Sequence, residues 1–235
     1  MRLKFLGGLI IAVSLVGIFL YMNFTEREFE PIERENGVIS YLPIGDSYTI
    51  GNGVAEADRW PNVLTKHLNE AGVRIQLVGN PAVSGYTVED ALQRELPVVK
   101  QMQPDFVTVL IGANDNFRET PVESYAQELS GFLDELQALM KEPKNVVLIT
   151  IPDYSYSPAA KGYATSGISE SIEKYNEVIK AEGLKRGLLV ADIFSISKTM
   201  TGAEDYISDG LHPSAQGYAK WEEVIYPVVV KFLKP

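Results

Sequence analysis

The chain has 235 residues, 46% of them apolar, enough to bury a full core and to set the expectation of one globular domain. Its 31 acidic and 21 basic residues leave a net charge of -10, a surface that repels phosphate and argues against sequence-independent nucleic-acid binding. It has no cysteine, which excludes disulfide frameworks, thiolate zinc sites, iron-sulfur clusters and cysteine nucleophiles.

From Phe5 to Met22 the sequence is uncharged and rich in Leu, Ile and Val, behind Arg2 and Lys4. A helix of that length spans about 27 Å, close to the hydrocarbon thickness of a bilayer. The stretch Phe19-Leu20-Tyr21-Met22-Asn23-Phe24 offers no small-residue cleavage pattern. Residues 1–24 are therefore expected to be an uncleaved membrane anchor, with secretion after signal cleavage or a buried core helix as the alternatives. Positive charge on the short N-terminal side, and Glu26, Glu28 and Glu30 after the span, put the body outside the cytoplasm. Residues 25–37, Glu-rich and containing Pro31, read as a solvated linker to a domain over residues 38–235.

In that domain short β-rich runs alternate with longer helical patterns, the signature of βαβ units around a parallel sheet. Five strands are expected, over residues 38–44, 74–78, 106–111, 145–151 and 188–193. The third and fourth are almost continuously apolar, as central strands covered on both faces should be. Trp60, Val63, Leu64, Leu68 and Ala71 share one helical face behind Pro61, and His67 falls on the same stripe, which gives it a packing role. Thr87-Val88-Glu89-Asp90 signals a helix start near Val88. Thr120-Pro121-Val122-Glu123 offers an N-cap hydroxyl, an early proline and a glutamate that completes a capping box, opening a helix over residues 121–140. Further helices are expected over residues 169–186 and 214–232.

In an open sheet of this kind ligands bind beyond the carboxyl ends of the strands. Gly45-Asp46-Ser47 follows the first strand, Ser84-Gly85 the second, Gly112-Ala113-Asn114-Asp115 the third, and Asp209-Gly210-Leu211-His212-Pro213 lies after the fifth. All fall on one edge. A serine hydroxyl attacks only when a base takes its proton, and the tetrahedral product needs donors at its oxyanion. Ser47 can supply the oxygen, His212 the base, Asp209 the carboxylate that orients the imidazole, and backbone N–H groups with an amide side chain the hole.

These four blocks resemble the SGNH or GDSL hydrolase superfamily, over the whole body from about Val38. The resemblance implies a three-layer α/β/α, flavodoxin-like fold with a five-stranded parallel sheet in order 2-1-3-4-5. It implies that Ser47 attacks, that His212 is general acid and base, and that Asp209 fixes its orientation. The N–H groups of Ser47 and Gly85 and the side-chain amide of Asn114 would form the oxyanion hole. Tyr48 stands where the literal GDSL string has leucine, a change that bears on packing or substrate fit. No Gly-x-Ser-x-Gly elbow is present, which removes the main competing serine-hydrolase fold.

The expected activity is hydrolysis of carboxylic esters through an acyl-enzyme, without cofactor or metal. Lysophospholipid or short-chain acyl esters and O-acetyl groups on glycans all fit the family, as does acyl transfer. The alternative from another class is a non-catalytic envelope protein binding a glycan or lipid in the same cleft. A protonated His212 cannot accept the serine proton, so activity should fall on acidification. Asp46 and Asp115 flank the site and are expected to bond backbone N–H groups at turns rather than a metal. Tyr154, Tyr156 and Tyr163 lie in a long segment, residues 152–167, which can line an acyl pocket, act as a lid or pack on the surface. Arg118 can meet an anionic substrate group or remain solvated.

Overall fold

The computed structural model describes residues 36–162 and 167–234, without the side chains of residues 161 and 162. The expected anchor, most of the linker and Tyr163 lie outside the described residues. Among those described, no helix is long and apolar enough to cross a membrane.

Five strands, β1 (Ile39–Gly45), β2 (Ile75–Leu77), β3 (Phe106–Leu110), β4 (Val146–Ile149) and β5 (Leu189–Ala191), form one parallel sheet in the order β2-β1-β3-β4-β5. β1 pairs with β3 from Tyr41↔Phe106 to Gly45↔Leu110, whereas β2 meets β1 only from Ile39↔Ile75 to Tyr41↔Leu77. Both edge strands are short, which limits the row of unpaired backbone groups open to another chain. Every residue of β3 and β4 is buried, the physical reason for their unbroken apolar sequence. The order 2-1-3-4-5 implied by the family resemblance is the order observed.

The helices are α1 (Ser47–Ile50), α2 (Trp60–Glu70), α3 (Val88–Asp90), α4 (Leu96–Met102), α5 (Ala113–Phe117), α6 (Val122–Leu139), α7 (Ile168–Arg186), α8 (Phe194–Ser197) and α9 (Ala215–Leu233). A π-helical segment, Ala91–Glu95, joins α3 to α4. α2 and α9 pack together on one face of the sheet, while α4, α6 and α7 follow one another across the other. Trp60, Trp221, Tyr41, Phe106 and Phe132 are fully buried between these layers, and the Tyr41 hydroxyl meets Thr108 Oγ1 at 2.7 Å so that no polar group is stranded there.

Two helix starts differ from expectation in opposite directions. The weaker signal, at Thr87, is a complete capping box: its hydroxyl accepts the Asp90 N–H and the Asp90 carboxylate accepts the Thr87 N–H. The stronger signal, at Thr120, makes no cap. Its N–H returns to Asp115 O at 3.0 Å, which ties Thr120 into the end of the preceding helix and leaves Pro121 as the N-cap of α6. His67 packs α2 on α9 as its stripe position requires. It is half-exposed, with Nδ1 2.8 Å from Glu222 Oε1 and its ring edge-on to Tyr226.

Candidate active site

β1 ends at Gly45 and the chain turns at once into α1, so Ser47 is the first residue of a helix and its N–H has no intrahelical partner. A side chain at position 45 has no room: a Cβ there would stand 2.2 Å from Thr49 Oγ1 and 2.4 Å from Leu110 O. Asp46 caps the turn, its Oδ1 accepting the Tyr48 N–H at 2.9 Å. This is the bonding expected of it.

The second oxygen of Asp46 faces the loop after β3. Asn114 Nδ2 donates to it at 3.1 Å and to Tyr86 O at 2.9 Å, so the amide plane is fixed by two acceptors from two other loops. Gly85, beside Tyr86, has φ +89°, a conformation that side-chain-bearing residues rarely adopt. Its carbonyl accepts from Arg118 Nη2 at 2.9 Å; Arg118 is exposed, as a solvated arginine should be, and also ties down this loop. Among the described residues, the N–H groups of Ser47 and Gly85 donate to no protein group. Two unpartnered backbone donors and one clamped amide therefore lie on the three loops that follow β1, β2 and β3.

His212 comes from the loop before α9, closed by the backbone bridge between Tyr206 and Pro213 and by Ile207 N–H to His212 O at 2.9 Å. Asp209 does two jobs in it. Oδ1 accepts the N–H groups of Leu211 at 2.8 Å and His212 at 3.0 Å, which builds the turn; Oδ2 meets His212 Nδ1 at 2.6 Å, which orients the ring. Partial burial alone would raise the Asp209 pKa, but the bonds from the imidazole and from those N–H groups outweigh it and hold the carboxyl below the ordinary carboxylate range. Asn52 Nδ2 lies 3.5 Å from the same Nδ1. With Nδ1 so engaged, Nε2 is the nitrogen left for a proton on another group. The loop sits against α1, where the ring of Tyr48, the neighbour of Ser47, lies 5.6 Å from the imidazole. Among the described residues no hydrogen bond joins Ser47 Oγ to His212.

Tyr48 is buried, its ring edge-on to Trp221 and its carbonyl accepting from Trp60 Nε1 and the Tyr218 hydroxyl. The departure from the literal GDSL string thus serves packing beside the imidazole. Asp115 is a partial correction: its carboxylate accepts the N–H of Val88, at the start of a different helix, rather than one in its own turn. Of the tyrosines after β4, Tyr154 is tied by its hydroxyl to Asn116 Oδ1 at 2.6 Å and Tyr156 is exposed. Among the described residues no cluster of three or more His, Asp or Glu side chains could hold a metal ion.

Burial pushes the Asp46 carboxyl up to about 7, with the charge of Asp115 adding to it against the bonds from Tyr48 and Asn114. Burial likewise raises Asp115 to about 6. A third buried acid, Glu95, was not legible as a site residue, although it stands at helical spacing among Val88, Ala91, Val99 and Met102, all buried. A carboxylate on an apolar stripe is the signal that could have found it.

Residues 44–220 match the GDSL-like lipase/acylhydrolase family. The chain is 26% identical over 196 residues to an arylesterase of Vibrio mimicus, covering 82% of this chain and 88% of that one. It is 26% identical over 236 residues to a multidomain esterase of Ruminococcus flavefaciens, where it spans 84% of itself but only 29% of the relative's length. The crystal structure of the lipase/acylhydrolase from Enterococcus faecalis superposes with a TM-score of 0.67 at 24% identity, over 84% of this chain and 98% of that one. With the four blocks in order on one sheet edge and three quarters of the chain matched, the protein belongs to the GDSL-like lipase/acylhydrolase family of ester hydrolases.

Proposed function

We propose that the chain is a serine esterase that opens carboxylic esters through an acyl-enzyme. Ser47 Oγ attacks the acyl carbon while His212 Nε2 takes its proton, and the Asp209 carboxylate stabilises the imidazolium that forms. The carbonyl oxygen, now carrying the negative charge, is received by the N–H groups of Ser47 and Gly85 and by the Asn114 amide. The intermediate collapses, the carbon–oxygen bond to the alcohol breaks, and His212 returns its proton to the leaving oxygen. Water then repeats the sequence on the acyl-serine, releasing the acid and restoring Ser47.

The observation that carries this reading is the 2.6 Å bond from Asp209 to His212 Nδ1 in a loop packed beside Ser47. It fixes the tautomer that leaves Nε2 able to accept a proton. Short-chain acyl esters, lysophospholipids and O-acetylated glycans are the proposed substrates, supported by the esterase relatives. The proposed place of work is the outer face of the cell membrane, supported by the basic start and apolar run of residues 1–24. A fluorophosphonate probe should label the parent and not Ser47→Ala, and p-nitrophenyl acetate turnover should vanish with the label. An unlabelled parent with no turnover above the variant would leave a cleft that binds esters without opening them.

A further inference from the structure

Behind the turn that carries Ser47 lies a carboxyl group that the reaction does not use. Glu95 is fully buried and ends the π-helical segment, where the Leu96 N–H reaches back five residues to Ala91 O. A π turn carries one residue more than an α turn, and here it lets Glu95 and Leu96 both face inward. Glu95 Oε2 accepts the Gly45 N–H at 3.0 Å, and among the described residues no protein group bonds Oε1.

Gly45 needs that acceptor. β2 stops pairing at Tyr41, so the end of β1 has a strand neighbour on the β3 side alone. Glu95 supplies from a helix the bond that a longer β2 would supply from the sheet. Gly45 is also pressed between Thr49 and Leu110 O, and it stands two residues before Ser47. A shift of its peptide would move the start of α1, the Ser47 N–H and the hydroxyl together.

We propose that Glu95 is a positioning residue that holds the nucleophile turn through an uncharged hydrogen bond to Gly45 N–H. This rests on Ser47 being the nucleophile. In a fully buried site, an Oε1 that no described protein group bonds costs less on a neutral acid than on a carboxylate. Burial pushes its pKa well above the carboxylate range, the Gly45 N–H opposes this, and the charges of Asp46 and Asp90 reinforce it. The hydroxyl of Tyr86 also feels the charge of Glu95.

Two conservative variants separate reach from charge. Glu95→Gln keeps the length and offers an amide carbonyl to Gly45; Glu95→Asp keeps the acid and withdraws it by one methylene. Kinetics on p-nitrophenyl acetate, expressed per folded molecule from near-UV circular dichroism, should give Gln a kcat within about threefold of the parent. Asp should lose about tenfold or more in kcat with KM within twofold, since only the transition state feels a misplaced nucleophile. A role confined to stability would lower the folded fraction of either variant and leave kcat per folded molecule unchanged. Gln falling as far as Asp, or Asp keeping the parental kcat, overturns the proposal. Ser47→Ala run in parallel keeps the two readings apart: if it retains turnover the nucleophile is elsewhere, whatever position 95 shows.

Discussion

Asp46 and Asn114 are joined at 3.1 Å between the loops after β1 and β3, so the residue before the proposed nucleophile also holds the proposed oxyanion donor. Both Asp46 oxygens are engaged, one by the Tyr48 N–H and one by Asn114 Nδ2. Asp46→Asn can keep only one of these, because its own amide then faces a donor whichever way it is turned. Above about pH 7, where Asp46 is ionised, losing a bond to its carboxylate costs about 1.5–3 kcal/mol, so kcat on p-nitrophenyl acetate is expected to fall about 10- to 100-fold with KM little changed. An unaltered kcat would mean that the Asn114 amide needs no help from Asp46.

The same carboxyls give a pH dependence of stability whose sign follows from their burial. Asp46, raised to about 7, and Asp115, raised to about 6, have an ordinary value of 3.8. Between about pH 4 and 7 the folded protein therefore holds protons that the unfolded chain has lost, and stability from these groups declines as pH rises through that window and levels above it. Asp209 runs the other way, its contribution present above 3.8 and lost as pH falls through its lower folded value. Urea midpoints should fall from pH 5 to 6 to 7 and change little from 7 to 8. Asp115→Asn, which keeps an acceptor for the Val88 N–H, should flatten the slope. A midpoint rising steadily from pH 5 to 8 would be incompatible with buried neutral acids.

The sheet and the four loops could be read from the sequence because each is a local signal: continuous apolar runs for β3 and β4, and Gly, Asp, Asn and His at the carboxyl ends. The Asp209–His212 bond was legible for the same reason, since three residues of one turn settle it. What escaped was set by distance along the chain. Asn114 to Asp46, Arg118 to Gly85 and Glu95 to Gly45 are contacts between loops or helices from different βα units, and although an apolar stripe marks Glu95, no periodicity announces its partner or the other two pairs. The cap at Thr120 failed for a local reason instead, its N–H being claimed by Asp115 O at the end of the preceding helix.

Asp209 can be tested apart from the turn it builds. Asp209→Asn retains an oxygen for the Leu211 and His212 N–H groups, so the loop should keep its shape. The amide then faces Nδ1 as a donor and favours the tautomer with the proton on Nε2, the wrong one for accepting from serine. A loss of about 1,000-fold or more in kcat is expected, with the thermal midpoint close to the parent. A loss below tenfold would show that His212 is oriented by something other than Asp209, with Asn52 the nearest candidate.

Tyr48→Leu restores the literal GDSL string and should make the protein worse. The Tyr48 ring is 4% exposed, with Trp221 5.5 Å away on one side and the His212 ring at 5.6 Å on another. Leucine leaves unfilled space between two aromatic neighbours, at a cost of about 1–3 kcal/mol, which for a domain of this size is a fall in Tm of roughly 2–10 °C. The carbonyl of residue 48 keeps its bonds from Trp60 and Tyr218, so α1 should stay in place. The imidazole loses one wall but keeps Asp209, and kcat should drop only about three- to tenfold, against the far larger loss in Asp209→Asn. Tyr48→Phe retains the ring and should match the parent in both measurements. A Leu variant with an unchanged Tm would show that the ring carries no packing, and the tyrosine would then be explained by the substrate side alone.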